Sequence, residues 1–324
     1  MYWKTSPYYN RIDEFINFMK IAIISNDAGG AEIVSSYVLH NLKNNFFFSL
    51  SGPAIEIFQK KIPNLINETI ESAIEKSTLV LTGTGWMSDN ETNAIRIAKK
   101  KGIRSIAYLD HWVGYASRFR RSNCNYFPDE IWVGDAYAEA IAKNEFPDLI
   151  IKLVPNLYFS DLSSEINSSS DIKRENYNNC TNILYVASPI AEHAKVVSGD
   201  GNLWGYNEYD AISFFLDNIK FLRLQSTSIC IRNHPSESYN KYYYLKDLYS
   251  SLKLQFSSNN LLLNDIINSD IVAGTNSMAM VIALIAKKRV ISAIPPPNYK
   301  CSLPHKGIEI FYEIVKGIQS NFND

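Results

Sequence analysis

Two short stretches of the chain combine residue types that can grip an anion. Arg232, Asn233 and His234 close the run Ser228-Ile229-Cys230-Ile231, and Pro235 follows. The run reads as a buried parallel strand, so its basic, imidazole-bearing tip falls where open α/β sheets bind ligands. Pro235 stops the strand and biases His234 towards an extended backbone, which presents the ring. Such a tip suits a phosphate, although a hydrogen-bonded loop histidine in an X-His-Pro turn would look the same. In the second stretch, the apolar strand from Asp270 ends in Gly274-Thr275-Asn276-Ser277 and turns directly into an apolar helix. Hydroxyls and free N–H groups at a helix N-terminus form an anion site, and plain capping by Thr275 or Ser277 uses the same position. Ser188 closes another apolar run, and Glu237 lies near the start of the element after His234.

The first half carries a different chemistry. The strand Lys20 to Ser25 ends in Asn26-Asp27-Ala28-Gly29-Gly30 and leads into a helix running to about Leu42. Gly29-Gly30 lets a ligand approach the backbone, but the G-x-G-x-x-G dinucleotide fingerprint is missing. Asp27 can act as a base or cap the helix. A further strand, Thr78 to Thr82, ends in a hydroxyl-rich loop with Thr84 and Trp86, and a helix from Glu91 to Lys101 follows. The strand Arg104 to Leu109 ends in Asp110-His111-Trp112. Aromatic faces are platforms for sugar rings and carboxylates bind sugar hydroxyls; a buried structural Asp–His pair is the alternative. Gly29, Gly30, Thr84, Trp86, His111 and Trp112 are therefore the candidate sugar contacts of this half. Arg118, Arg120 and Arg121 read most simply as a solvated basic face.

The elements that must position these residues alternate strand and helix, which predicts doubly wound parallel sheets. Residues 1–159 form one predicted domain. A Ser- and Asn-rich linker spans 160–181, and a second αβ domain spans 182–304. Within it, Ile190 to Tyr206 reads as a loop, and Lys288 to Ile294 as the last strand, stopped by Pro295-Pro296-Pro297. A closing helix in 305–324 can pack back on the first domain. Residues 1–19 suit an amphipathic helix packed on the body or a contact with a membrane surface.

Composition excludes several classes. Lys and Arg total 32 against 33 Asp and Glu, a net charge of -1, so nothing attracts nucleic acid globally. Four dispersed cysteines without a C-x-x-C fit reduced cytosolic thiols. No apolar run reaches the ~18 residues of a membrane span, and no signal peptide is expected. The expected location is the cytoplasm, including the inner face of a membrane.

Together, the two halves, the Gly-rich first turn, His234-Pro235 and the Gly274-to-Ser277 tip resemble GT-B glycosyltransferases. The resemblance implies two Rossmann-like doubly wound domains facing a central cleft. It is nearest to bacterial transferases using CMP-activated acidic sugars, the sialyltransferase and Kdo-transferase groups. By that resemblance, His234-Pro235 and Thr275/Ser277 hold the donor phosphate, within a nucleotide site formed by Ser188, Arg232, His234, Pro235, Glu237, Gly274, Thr275, Asn276 and Ser277. The base would come from Asp27-Ala28-Gly29, where the family has two acidic residues before Gly; Asp110 is the rival. Asp27, Asp110 and His234 are thus the candidate catalytic residues. The implied activity builds a surface polysaccharide on a glycan or lipid-linked glycan acceptor. No metal or cofactor is expected beyond the donor, which is a CMP-sugar or alternatively a UDP-sugar. His-Pro also occurs in CDP-glycerol polymerases and UDP-GlcNAc 2-epimerases, so an epimerase, a phosphotransferase and a non-catalytic nucleotide-binding scaffold stay as alternatives.

Overall fold

A computed structural model describes residues 19–85, 88–121, 124–169, 180–257 and 260–320. The chain divides into two units, Met1–Asp161 and Leu162–Asp324. The first contains β1 (Lys20–Ser25), β2 (Asn45–Leu50), β3 (Leu79–Thr82) and β4 (Arg104–Leu109). A small antiparallel ribbon, β5 (Arg120–Arg121) and β6 (Cys124–Asn125), precedes β7 (Glu130–Val133) and β8 (Ile150–Leu153). The main sheet runs β2-β1-β3-β4-β7-β8, every pair parallel.

β1 reads as an unbroken apolar run because both of its faces are covered. Ile21 and Ile23 pack with Val34, Phe48, Phe58 and Leu81. Ala22 and Ile24 point the other way, onto Ile74, Val80 and Ile97. Each buried Ile contributes about 1.5–3 kcal/mol of transfer free energy, and a one-residue slip would exchange the two faces. The strand therefore delivers Asn26 and Asp27 to its carboxyl edge in a fixed register.

The second unit repeats the plan with β9 (Thr181–Val186), β10 (Thr227–Arg232), β11 (Leu254–Phe256), β12 (Ile271–Gly274), β13 (Arg289–Ser292) and β14 (Ile308–Ile310). Its order is β11-β10-β9-β12-β13-β14, again parallel throughout. Ile183, Tyr185, Ile229, Ile231 and Ala273 share one core with Phe215, Phe311 and Val315. Each unit is Rossmann-like. β1 lies between β2 and β3, and β9 between β10 and β12, so in each unit the strand order reverses at the first strand, the switch point at which such sheets take ligands.

Several elements differ from the sequence expectation. The helix Leu157–Ser169 occupies the start of the expected linker, and the units part between residues 161 and 162; residues 170–179 lie outside the described part. Ile190–Ser198 is a helix rather than loop, since its first residues bury Ile190 and Ala194. β13 is not the last strand, because β14 pairs beyond it. The closing helix, Phe311–Ser320, sends Phe311 and Val315 into the second unit's own core. The expected helix or membrane contact within residues 1–18 lies outside the described residues. Among those described, no helix is long and apolar enough to cross a membrane.

Candidate active site

In the second unit, strand register sets the candidate residues side by side. Val186 of β9 pairs with Arg232 of β10 on one side and Gly274 of β12 on the other. Two residues further along each strand come Ser188, His234 and Asn276. Adjacent strands lie about 4.8 Å apart, so the outer two tips are separated by roughly 10 Å.

His234 is held by its own turn. Its N–H donates to Glu237 Oε2 (2.9 Å), and Ser236 N–H donates to its Nδ1 (3.2 Å). With Nδ1 an acceptor, the neutral ring carries its proton on Nε2. Burial holds the imidazole below its usual pKa, and His193 adds to this; Lys241 acts the same way, while Glu237 and Glu192 oppose it. His234 is therefore a neutral donor at pH 7. The His193 ring stands edge-on to it, 6.1 Å away. His193 belongs to helix Ile190–Ser198, which the sequence suggested as a loop.

Glu237 does not reach outward. Its side chain is 2% exposed. Besides the His234 bond, it accepts from Lys241 Nζ (2.7 Å) and the Tyr242 hydroxyl (2.9 Å). Lys241 also bridges to Glu208, whose other oxygen accepts Ala191 N–H (2.9 Å). Burial would raise Glu208, but the bonds from Lys241 and Ala191 outweigh it, and the carboxyl stays below its usual range. This network ties the β10 tip to the first turn of helix Ile190–Ser198.

Arg232 also differs from the expected anion contact. Alternation along β10 turns it away from the Ile231 face. There Nη1 donates to Asp265 Oδ2 (2.6 Å), Ser257 Oγ (3.1 Å) and Asn260 O (2.9 Å). Gly274 serves packing rather than a ligand: a Cβ there would stand 2.7 Å from Val186 Cγ2. Thr275 is buried and its carbonyl accepts from Ser292 Oγ (3.4 Å). Asn276 Oδ1 accepts Ser302 N–H (3.2 Å). Ser277 caps helix Met278–Ile285 by accepting Ala279 N–H (3.2 Å). Pro235 is exposed beside His234. The tips that remain open to an anion are thus Ser188, His234 and the helix N-terminus at Ser277, not the guanidinium.

In the first unit, Asp27 stands at the N-cap of helix Ala28–His40, yet its side chain makes no capping bond. Its carboxylate instead accepts from Asn26 Nδ2 (2.8 Å) and lies over Gly85, where a Cβ would be 2.4 Å from Oδ2. Asn26 is fixed in turn by Ser51 Oγ (2.7 Å), which accepts from Asn90 Nδ2 (2.7 Å). Asp110 is engaged differently. Arg118, only 4% exposed, pairs with its Oδ1, and Thr84 Oγ1 donates to the same oxygen at 2.9 Å. A carboxylate locked in a buried ion pair is a poor proton acceptor, which weighs against Asp110 as a base. Arg118 is accordingly no solvated cation.

The space above Gly29 and Gly30 is filled by protein, which corrects the expected close approach of a ligand. Asp110 Oδ2 occupies the place of a Gly29 Cβ, and the Gly83 and Thr84 backbone that of a Gly30 Cβ. Trp112 is buried, donates Nε1–H to Asp135 Oδ2 (2.8 Å) and stacks on Phe159, so its face is not available as a platform. His111 is half-buried against Trp112. Trp86 lies outside the described residues.

Glu91 was not anticipated. It is 3% exposed in the first turn of helix Asn90–Lys101. Oε1 accepts Asn26 N–H at 2.7 Å, while buried Oε2 has no hydrogen-bond partner. Burial, with Asp27 adding to it, pushes this carboxyl up to about 7. Among the described residues, no group of three His, Cys, Asp or Glu side chains could hold a metal ion.

Two doubly wound parallel units, each carrying polar residues at its switch point, give this chain the GT-B-like α/β fold class. No protein-family model and no curated protein matches the chain. Among solved structures it is similar to the UDP-GlcNAc 2-epimerase of Neisseria meningitidis bound to UDP-GlcNAc, with a TM-score of 0.64 and 13% identity over 94% of this chain and 92% of that one. It is also similar to the S. aureus MnaA–UDP co-structure (TM-score 0.61, 11% identity, 95% and 89% covered). A putative UDP-N-acetylglucosamine 2-epimerase from Listeria monocytogenes gives 0.60 and 10% over 94% and 88%. At these identities the likeness establishes a shared fold.

Proposed function

We propose that the chain is a nucleotide-sugar-dependent glycosyltransferase whose second unit holds the donor's phosphate and whose first unit supplies Asp27 as the base. The carrying observation is the register at Val186, which aligns the His234 and Gly274-to-Ser277 tips on either side of Ser188. A neutral His234 donates Nε2–H to a phosphate oxygen, and the helix N-terminus at Ser277 adds its dipole. Both interactions strengthen as the leaving phosphate gains charge. Asp27 takes the acceptor's hydroxyl proton as the acceptor oxygen bonds to the sugar and the nucleotide departs. The donor is a CMP-activated acidic sugar and the acceptor a glycan, with no metal taking part.

Epimerisation of UDP-GlcNAc is a second reading, favoured by a fold shared over nearly the whole chain with structures holding UDP-GlcNAc or UDP. A thermal-shift panel of CMP, UDP, CDP and GDP separates the donor classes, since a ligand of the folded state raises its melting temperature. Stabilisation by CMP and turnover of a CMP-sugar support transfer. Stabilisation by UDP, with conversion of UDP-GlcNAc seen by NMR without acceptor, would replace it with epimerisation. His234→Ala is expected to abolish the shift; an unchanged shift would remove His234 from the phosphate site.

A further inference from the structure

β10 departs from the pattern of a parallel strand. A strand covered on both faces reads as an unbroken apolar run, as β1 does, yet β10 alternates. Ile229 and Ile231 enter the core, while Ser228 and Cys230 turn to the opposite face. Register extends that face sideways. Asn182 of β9 lies beside Ser228, and Leu184, Cys230 and Gln255 form the next row across β9, β10 and β11. Against these rows lies a cavity of about 370 Å³, also lined by Asn260 and by Asp265 of helix Leu262–Ile267. That volume is within the range of small-molecule sites. Gln255 and Asn260 are exposed, so the cavity opens at the β11 edge of the sheet.

The lining is polar but carries no net charge. Among the described residues, the Ser228 hydroxyl and the side-chain amides of Asn182 and Gln255 have no hydrogen-bond partner. Burial, with Asp265 adding to it, pushes the Cys230 thiol up to about 11, so it stays uncharged. Asp265 is the one charged residue of the lining, and Arg232 neutralises it through Oδ2 at 2.6 Å. Its Oδ1 accepts from Asn260 Nδ2 (3.1 Å) and keeps room for a further donor. No aromatic ring is among the described residues of the lining.

We propose that this cavity is a second ligand site, which takes a neutral, polyhydroxylated molecule the size of a monosaccharide. Sugar hydroxyls both donate and accept, which matches two amides, a hydroxyl and a partly used carboxylate. Leu184 gives the ring carbons an apolar contact. An ion would find the Arg232–Asp265 pair already neutralised, and a nucleobase would find no ring to stack on. His234 lies roughly 13 Å further along the extended chain than Cys230, so the site is separate from the phosphate-binding tips and does not rest on the proposed transfer.

The test titrates the full 15N-labelled chain with N-acetylglucosamine, with glucose and with inorganic phosphate. Either sugar should shift the Ser228, Cys230 and Gln255 amides saturably, and phosphate should not. Asn182→Ala and Gln255→Ala should each weaken sugar binding by about two- to tenfold, the loss expected for one hydrogen bond. Cys230→Leu, which fills the cavity, should abolish it; if that variant does not fold, substitution of the exposed Gln255 still decides. No shift with either sugar, shifts confined to other residues, or wild-type affinity in Gln255→Ala overturns the site, as does phosphate binding there in place of sugar. His234→Ala should leave sugar affinity unchanged. If it abolishes sugar binding, the sugar occupies the donor site and the second site falls.

Discussion

Glu91 makes the chain's stability depend on pH in a definite direction. Its carboxyl lies at about 7 in the folded chain against an ordinary 4.5. A raised carboxyl favours the folded state fully below pH 4.5, and that contribution is lost as pH rises through 7. The whole loss is on the order of 3 kcal/mol. Chemical-denaturation midpoints of wild type should fall over this window more than those of Glu91→Gln; parallel curves would show that Glu91 does not titrate there. Glu237→Ala removes three bonds that hold the His234 turn, and should weaken nucleotide binding by about 1–3 kcal/mol through the turn it braces. Calorimetric binding of the preferred nucleotide checks this. The strand-end placement of His234 was legible because a proline follows an apolar run, and that of Asp27 because a Gly pair comes shortly after it. Glu91 was not legible: an acid in a helix's first turn looks like a surface residue favoured by the dipole, and only the fold shows it packed under Asn26.

Gly274 belongs to the scale of elements. A methyl group there would collide with the Val186 side chain and carbonyl, at 2.7 and 2.9 Å. Gly274→Ala must push β12 from β9, at a cost of about 1–3 kcal/mol. A thermal melt should show the drop, and an unchanged melting temperature would mean the strands can part without cost. Strand ends were readable because β1, β4, β10 and β12 are apolar runs ended by Gly, Pro or polar residues. The side on which each strand-end residue points was not. Arg232 looked like an anion contact because it precedes His234, but period-two alternation turns it to Asp265, a partner 33 residues away. Asp110 looked free for the same reason; its partner Arg118 returns to it through the short helix Tyr115–Phe119. Arg118→Ala would leave that carboxylate buried and unpaired, costing about 3–5 kcal/mol, which urea denaturation can measure.

At the scale of the molecule, the two-unit plan was legible from repeated strand–helix alternation, whereas the part of the last helix in the second core was not. Phe311 touches Phe215 at 5.0 Å between ring centroids, inside the core that includes β9 and β10. Phe311→Ala should cost about 3–5 kcal/mol and speed amide exchange in Ile183–Val186 and Ile229–Arg232, with β1 amides protected as before. Equal acceleration in β1 would show that the effect is not confined to the second core. The same helix orders events during synthesis. The first unit ends at position 161, and N-terminal units fold first on the ribosome. The second must wait for residues 311–320 before its hydrophobic interior can shut. A nascent chain therefore closes the core around β1 well before it can close the one around β9.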